Sequence, residues 1–208
     1  MSLNPHNTLR CAMKSLIPFL CLSTLLLCLP AQAQDHKYDI KSAIITFEQT
    51  MEMSGFLSKN KVVVYFDDFG KKECKETYED DKLKEVFFSD GKTLWLAVPG
   101  KKTAYERGPA YRGTEMRFDW NEMSPKDIQS GKAKKRPNVK IAGKDCESFQ
   151  LETAYGLAVY AGWKKITLLT SVDNKGMKSA VTAVKVEENV PVPATKFAVP
   201  AGYATKKM

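Results

Sequence analysis

KEVFFSDGKTLWLAV, residues Lys84–Val98, is the stretch on which the fold turns. It is two short apolar runs joined by Ser89-Asp90-Gly91-Lys92. Asp-Gly tolerates the positive φ angles of a two-residue hairpin turn, so the pattern predicts strand–turn–strand. Val86, Phe87 and Phe88 on one side, and Thr93, Leu94, Trp95, Leu96 and Val98 on the other, are β-branched, aromatic or aliphatic. Both faces of the hairpin are therefore apolar. One face can rest on a core; the second needs apolar cover of its own, and a bound ligand is one way to provide it.

The sequence on either side extends the pattern. Upstream, Tyr38–Met53 alternates, with Ala43, Ile45, Phe47, Met51 and Met53 on one parity and Ser42, Thr46, Glu48, Thr50 and Glu52 on the other. Gln49 and Ile44 interrupt the alternation, yet period two dominates. Gly55 ends this run. Lys61–Phe69 follows, apolar on both parities, and Gly70 turns the chain into Lys72–Tyr78. Downstream, Pro99-Gly100 makes a turn before Lys101–Glu106. Short strands punctuated in this way predict an antiparallel meander.

The middle of the chain differs. Met116, Trp120 and Met123 are spaced i, i+4, i+7 and would stripe one face of a helix. Ser124-Pro125-Lys126-Asp127 has the form of a capping box with proline at the first helical position, and Gly131 would end the helix. The helical insert 115–131 either packs under the sheet or forms an apolar lid over a cavity. Lys132, Lys134, Lys135 and Arg136 then read as a solvated basic loop, with contact to a phosphate-bearing headgroup as the functional alternative. Strands resume at Val139–Ile141, Lys144–Glu152, Leu157–Trp163, Ile166–Leu169 and Ser179–Glu187. Pro191, Pro193 and Pro200 exclude a central strand near the end, leaving Ala194–Tyr203 as a pinned extended segment or short turn.

Residues 1–33 have the form of an export signal. Arg10 and Lys14 precede an apolar run, Leu16–Leu29, and Ala31-Gln32-Ala33 is a small-x-small cleavage site. The run falls short of the roughly 20 residues that span a bilayer. Cleavage after Ala33 is expected, leaving 34–208 as one soluble periplasmic domain. Cys21 and Cys28 each follow leucine, which argues against lipid attachment. Export would leave Cys74 and Cys146 in an oxidising compartment, which predicts a disulfide between them. Closing that loop would add about 4 kcal/mol in the chain-entropy model. The full chain carries a net charge of +8. Such a balance serves solubility, and it also suits transient contact with a membrane surface. An exported chain without a helix-turn-helix or zinc-finger pattern is not expected to bind nucleic acid. A monomer is expected.

No catalytic, metal or cofactor site is expected. His36 lies close to the expected mature terminus and suits no buried nucleophile–base pair. G-x-S-x-G, H-E-x-x-H, P-loop and G-x-G-x-x-G patterns do not occur. Asp67-Asp68 and Glu79-Asp80-Asp81 sit beside turns and read as solvated charge.

The order of features carries a resemblance. A signal segment precedes a β-meander with an aromatic hairpin, and a helical insert follows. Then come the turn Ile141-Ala142-Gly143-Lys144-Asp145-Cys146 and the tail Pro193-x-x-x-Phe197-x-x-Pro200-x-Gly202-Tyr203. The sequence resembles the bacterial envelope proteins of the outer-membrane lipoprotein-carrier (LolA-like) superfamily, in particular a branch with a similar ending. The resemblance implies a mainly β fold: a curved antiparallel sheet forming an unclosed half-barrel, with a small helical insert over its concave face. In the carrier members that concavity receives lipoprotein acyl chains. No carrier residue matches a position here by motif. From the residues themselves, the candidate lining of such a cavity is Phe47, Met51, Met53, Val64, Phe66, Phe87, Trp95, Met116, Trp120 and Trp163. The expected partner is a hydrophobic ligand, a lipid or lipoprotein acyl chain. The alternative is an envelope structural or interaction module whose apolar faces are filled and which holds no ligand.

Overall fold

The structure is a computed structural model that describes residues 36–110, 117–174 and 176–208. The expected signal segment, and Met116 of the candidate lining, lie outside the described residues. Six strands come first: β1 (Ala43–Met53), β2 (Phe56–Asp67), β3 (Lys72–Glu79), β4 (Lys82–Ser89), β5 (Thr93–Val98) and β6 (Thr103–Pro109). A short helix, α1 (Pro125–Gln129), follows. Then come β7 (Ala133–Ile141), β8 (Lys144–Thr153), β9 (Gly156–Trp163), β10 (Ile166–Asn174), β11 (Met177–Glu188) and β12 (Ala204–Lys207).

All twelve strands form one sheet in the order β12-β6-β5-β4-β3-β2-β1-β11-β10-β9-β8-β7. Two meanders, β1–β6 and β7–β11, are joined where β1 pairs with β11, Ala43 opposite Glu188 and Met53 opposite Met177. Every pairing is antiparallel except that of β12 with β6. β7 and β12 are the two edges and do not meet, so the expected half-barrel is the observed architecture.

Local chemistry sets the turns. Ser54 and Gly55 both have positive φ, 51° and 83°, as the two-residue turn between Met53 and Phe56 requires. The turn at Asp90-Gly91 departs from expectation. Ser89 pairs with Leu94, not Lys92, so the connection is longer than two residues. The Asp90 carboxylate accepts hydrogen bonds from the Lys92 and Thr93 N–H groups at 2.8 and 2.9 Å. This side-chain-built turn holds the Asp90 pKa below the usual carboxylate range, the Thr93 bond contributing most.

The apolar side chains form two cores, one on each face. The first gathers Tyr38, Ile45, Phe47, Val64, Phe66 and Leu168 on the concave face. The second gathers Cys74, Val86, Phe88, Ala97 and Ala104 on the opposite face, under Phe197 from the C-terminal segment. Val192, Val199 and Tyr203 pack there too, so the proline-rich tail is a strap over the back of β3–β6. The strap explains why Lys84–Val98 is apolar on both faces.

The insert also differs from expectation. Trp120 begins a single 3-10 turn, Trp120–Glu122, and Met123 is extended, so no continuous helix carries the expected stripe. α1 forms with Pro125 at its start, but the Ser124 side chain makes no capping bond; the Ser124 carbonyl accepts from Asp127 N–H instead. The run Lys132–Arg136 is largely strand: β7 begins at Ala133 and pairs with β8, with a register shift between Arg136 and Val139. Its pattern is hard to see in sequence because it is a solvent-exposed edge, where lysines and Pro137 guard against further pairing.

Candidate functional site

The concave face encloses an open cavity of about 770 Å³. Its apolar wall includes Phe47, Val62, Val64, Phe87, Leu169 and Val181, contributed by β1, β2, β4, β10 and β11. Leu94 of β5 and Tyr160 of β9 border the same space. In the sheet order β5 and β9 are seven steps apart, about 34 Å if the sheet were flat. Sharing one cavity therefore requires the sheet to curl around it. Polar groups stand in the wall as well: Gln49, Lys71, Glu73, Lys75, Ser89 and Thr170.

One end of this concavity is closed by residues 36–42. Tyr38 N–H donates to the Phe69 carbonyl and Asp39 N–H to the Lys164 carbonyl, both at 3.2 Å, so the segment ties the β2–β3 connection to the β9–β10 turn. Tyr38 is fully buried, its ring 4.5 Å from that of Phe66. Its hydroxyl donates to Glu73 Oε1 at 2.5 Å, and Lys37 Nζ pairs with the same oxygen. Burial pushes the Lys37 pKa down, against the opposing pull of Glu73. Gly70 makes the seat possible: a Cβ there would lie 2.6 Å from the Tyr38 ring, and its φ is +87°.

The candidate lining residues divide. Phe47, Val64 and Phe87 line the cavity. Phe66 is buried beneath Tyr38 at the closed end. Met51 and Met53 are 40% and 53% exposed, because the β1–β2 hairpin runs on past its β3 neighbour. Trp95 is on the opposite face, paired with Phe88 and stacked on its ring at 6.3 Å. Trp163 lies between the Lys144 and Lys164 ammonium groups, each 4.5 Å from its ring, and both lysines pair with Glu188. Trp120 packs edge-on against Phe149 at a smaller recess of about 130 Å³ and does not border the large cavity. Beside it, Phe118 lies on β9 so closely that a Cβ at Gly162 would be 2.1 Å from its ring. Thus the described part of the insert covers the sheet near β7 and is not a lid on the large cavity. Val62, Leu94, Tyr160, Leu169 and Val181 belong to the lining and are not among the candidates. Period-two parity on β2, β5, β9 and β11 points to Val62, Leu94, Tyr160 and Val181, whereas Leu169 lies beside a register shift in β10 where parity does not carry.

The expected disulfide is not formed. Cys74 and Cys146 are both buried and free, in different cores. They belong to β3 and β8, six steps apart in the sheet, whereas a disulfide needs Cα atoms within about 7 Å. Burial pushes the Cys74 thiol up to about 12 and raises that of Cys146 as well. Neither thiol should react with an alkylating reagent in the native protein, and both should react in denaturant. Intact mass before and after reduction should be identical.

Across the sheet from the cavity, Glu76 is buried under the strap. It pairs with Lys196, accepts from the Tyr78 hydroxyl at 2.8 Å, and Lys196 sits 4.2 Å from the Tyr65 ring centre. Among the described residues, no group of three or more His, Cys, Asp or Glu side chains could hold a metal ion. No helix of the described residues is long and apolar enough to cross a membrane.

No protein-family model and no curated protein sequence matches the chain. Solved structures do match. An uncharacterised conserved protein from Thermus thermophilus aligns with a TM-score of 0.52 at 8% identity, over 78% of this chain and 90% of that one, a likeness of fold. Weaker matches are a LolA superfamily protein from Nitrosomonas europaea (TM-score 0.37, 12% identity, 78% of this chain and 94% of that one) and a putative outer membrane lipoprotein-sorting protein domain from Vibrio parahaemolyticus (0.36, 13%, 76% and 89%).

Proposed function

We propose that the protein is exported to the periplasm and binds the acyl part of a lipid or lipoprotein, non-covalently, as a carrier or chaperone. The observation that supports this reading is the cavity of about 770 Å³ walled by aliphatic and aromatic side chains from both meanders. Its size falls in the range of ligand sites. An acyl chain displacing water there gains about 0.8 kcal/mol per buried CH₂. The polar groups at Lys71, Glu73, Lys75 and Ser89 are placed to orient a headgroup. The alternative, a structural or interaction module, calls for a filled interior, and the cavity weighs against it.

The test is native mass spectrometry of the processed protein purified from its host. A co-purifying lipid is expected, displaced stoichiometrically by a fluorescent fatty acid. No adduct, together with no response to the probe, would leave the structural module as the better reading.

A further inference from the structure

Three neighbouring turns end together at the rim of the sheet remote from Tyr38. Met53 pairs with both Phe56 and Met177, Asn174 pairs with Met177, and Asp173 with Leu157, so the β1–β2, β10–β11 and β8–β9 turns stand side by side. This rim is apolar and exposed: Phe56 is 83% and Tyr155 74% accessible, with Met51, Met53, Leu57 and Leu157 also exposed. Single exposed apolar residues are ordinary, but a contiguous set marks an interaction site. β2 pairs with β3 only from Lys61 onward, so Phe56–Asn60 projects past its neighbour by about 17 Å.

We propose that this rim docks the protein on a lipid bilayer, with the β1–β2 hairpin entering the boundary between headgroups and acyl chains. Three features favour a bilayer over a protein partner. Met53 and Phe56 lie on one face of the hairpin and Leu57 on the other, so apolar side chains point both ways. A protein groove covers one face, whereas immersion covers both. Tyr155 stands beside them, and a ring with a polar tip suits the water–lipid boundary. Lys178 and Lys132 stand level with Leu57 and Leu157, one residue in from the turns, and Lys59 two residues behind them. Their long stems would reach the phosphate layer while the tips are immersed. Glu52, Glu152 and Asp173 occupy the same level and match the three lysines charge for charge. The apolar tips therefore carry the binding, and the balanced charges behind them set no preference for anionic lipid. This surface is separate from the cavity, and its docking does not require the cavity to be loaded.

The test is flotation of the exported, processed protein with vesicles of phosphatidylcholine alone or mixed with phosphatidylglycerol. Binding to both, to a similar extent and with little sensitivity to salt, is the expected result. Phe56→Ser combined with Leu57→Ser should weaken partitioning at least tenfold, about 1.4 kcal/mol, with the urea midpoint unchanged because both side chains are exposed. Phe56→Trp should shift its emission to the blue when vesicles are added and be quenched by brominated acyl chains. Equal binding by wild type and the double variant, or no binding of wild type to either vesicle, would overturn the proposal. So would self-association that is lost in the double variant without any vesicle binding, since the occupant would then be a second copy. Because the readout is vesicle binding, it can fail while ligand binding stands, and the reverse.

Discussion

Lys196→Met should cost the protein about 3 kcal/mol of folding stability, read as a lower urea midpoint at unchanged slope. Glu76 is only 8% exposed at its side chain, and Lys196 is its cationic partner. Removing one member of a buried ion pair leaves the other charge without compensation, a loss of about 3–5 kcal/mol. The Tyr78 hydroxyl stays as a donor to Glu76, which sets the expectation at the lower end. Glu76→Gln combined with Lys196→Met removes both charges and should recover most of the loss. If single and double variants are equally unstable, the strap is held by Phe197 and its neighbours alone. The same latch predicts a pH response. Burial alone lowers the Lys196 pKa, but the hydrogen bonds and charges of Glu76 and Tyr65 outweigh it, and the net shift is upward. A lysine whose folded pKa is raised contributes fully below its unfolded value of about 10.4, and that contribution fades as pH rises through the folded value. The strap should therefore loosen only in strong alkali.

Val181→Trp should abolish probe binding while leaving the fold intact. Val181 is in the cavity wall on β11, opposite Gln49 of β1. An indole there would occupy space that the acyl chain needs. Each methylene excluded forfeits about 0.8 kcal/mol, so losing four or more weakens affinity by a factor of at least about a hundred. The void accepts the ring, so the overpacking penalty of a filled core does not arise. Trp95→Ala is the matched control. Its ring lies on the other face against Phe88, so this variant should lose about 3 kcal/mol of stability with probe affinity per folded molecule unchanged. Equal effects of the two variants on binding would show that the ligand does not occupy this cavity.

The meander and one parity of β1 are legible in the sequence because they depend on local alternation and turn residues, whereas the half-barrel is implied only by the resemblance. The cavity is less so. Trp95 and Phe87 are both candidates for the lining, yet they face opposite ways. Even the two-residue turn expected at Asp90-Gly91 would set Trp95 opposite Val86, on the Phe88 face. The second core hides this: without the strap in view, both faces of the hairpin look like candidates for a ligand. On β3 the alternation is uninformative, because Glu73 and Lys75 face the cavity while Glu76 is buried behind it. Met51 and Met53 follow the parity of Phe47, but parity does not say where a strand outruns its neighbours. The cysteines mislead for a related reason. Their pairing is a question of sheet order, and Cys74 and Cys146 belong to different meanders whose strands pair with each other at β1 and β11.

That central joint has a kinetic side. β1, the first strand, pairs with β11, which is made almost last, so Ala43 finds Glu188 only after nearly the whole chain is available. Each meander can zip up from its own short connections. The seam between them must wait for a long loop to close, which slows the final step and raises the contact order. Until then the two half-sheets each present an unpaired centre strand to solvent. A chain with this topology should refold slowly and depend on dilution, or on a holdase, to avoid pairing with its neighbours instead of itself.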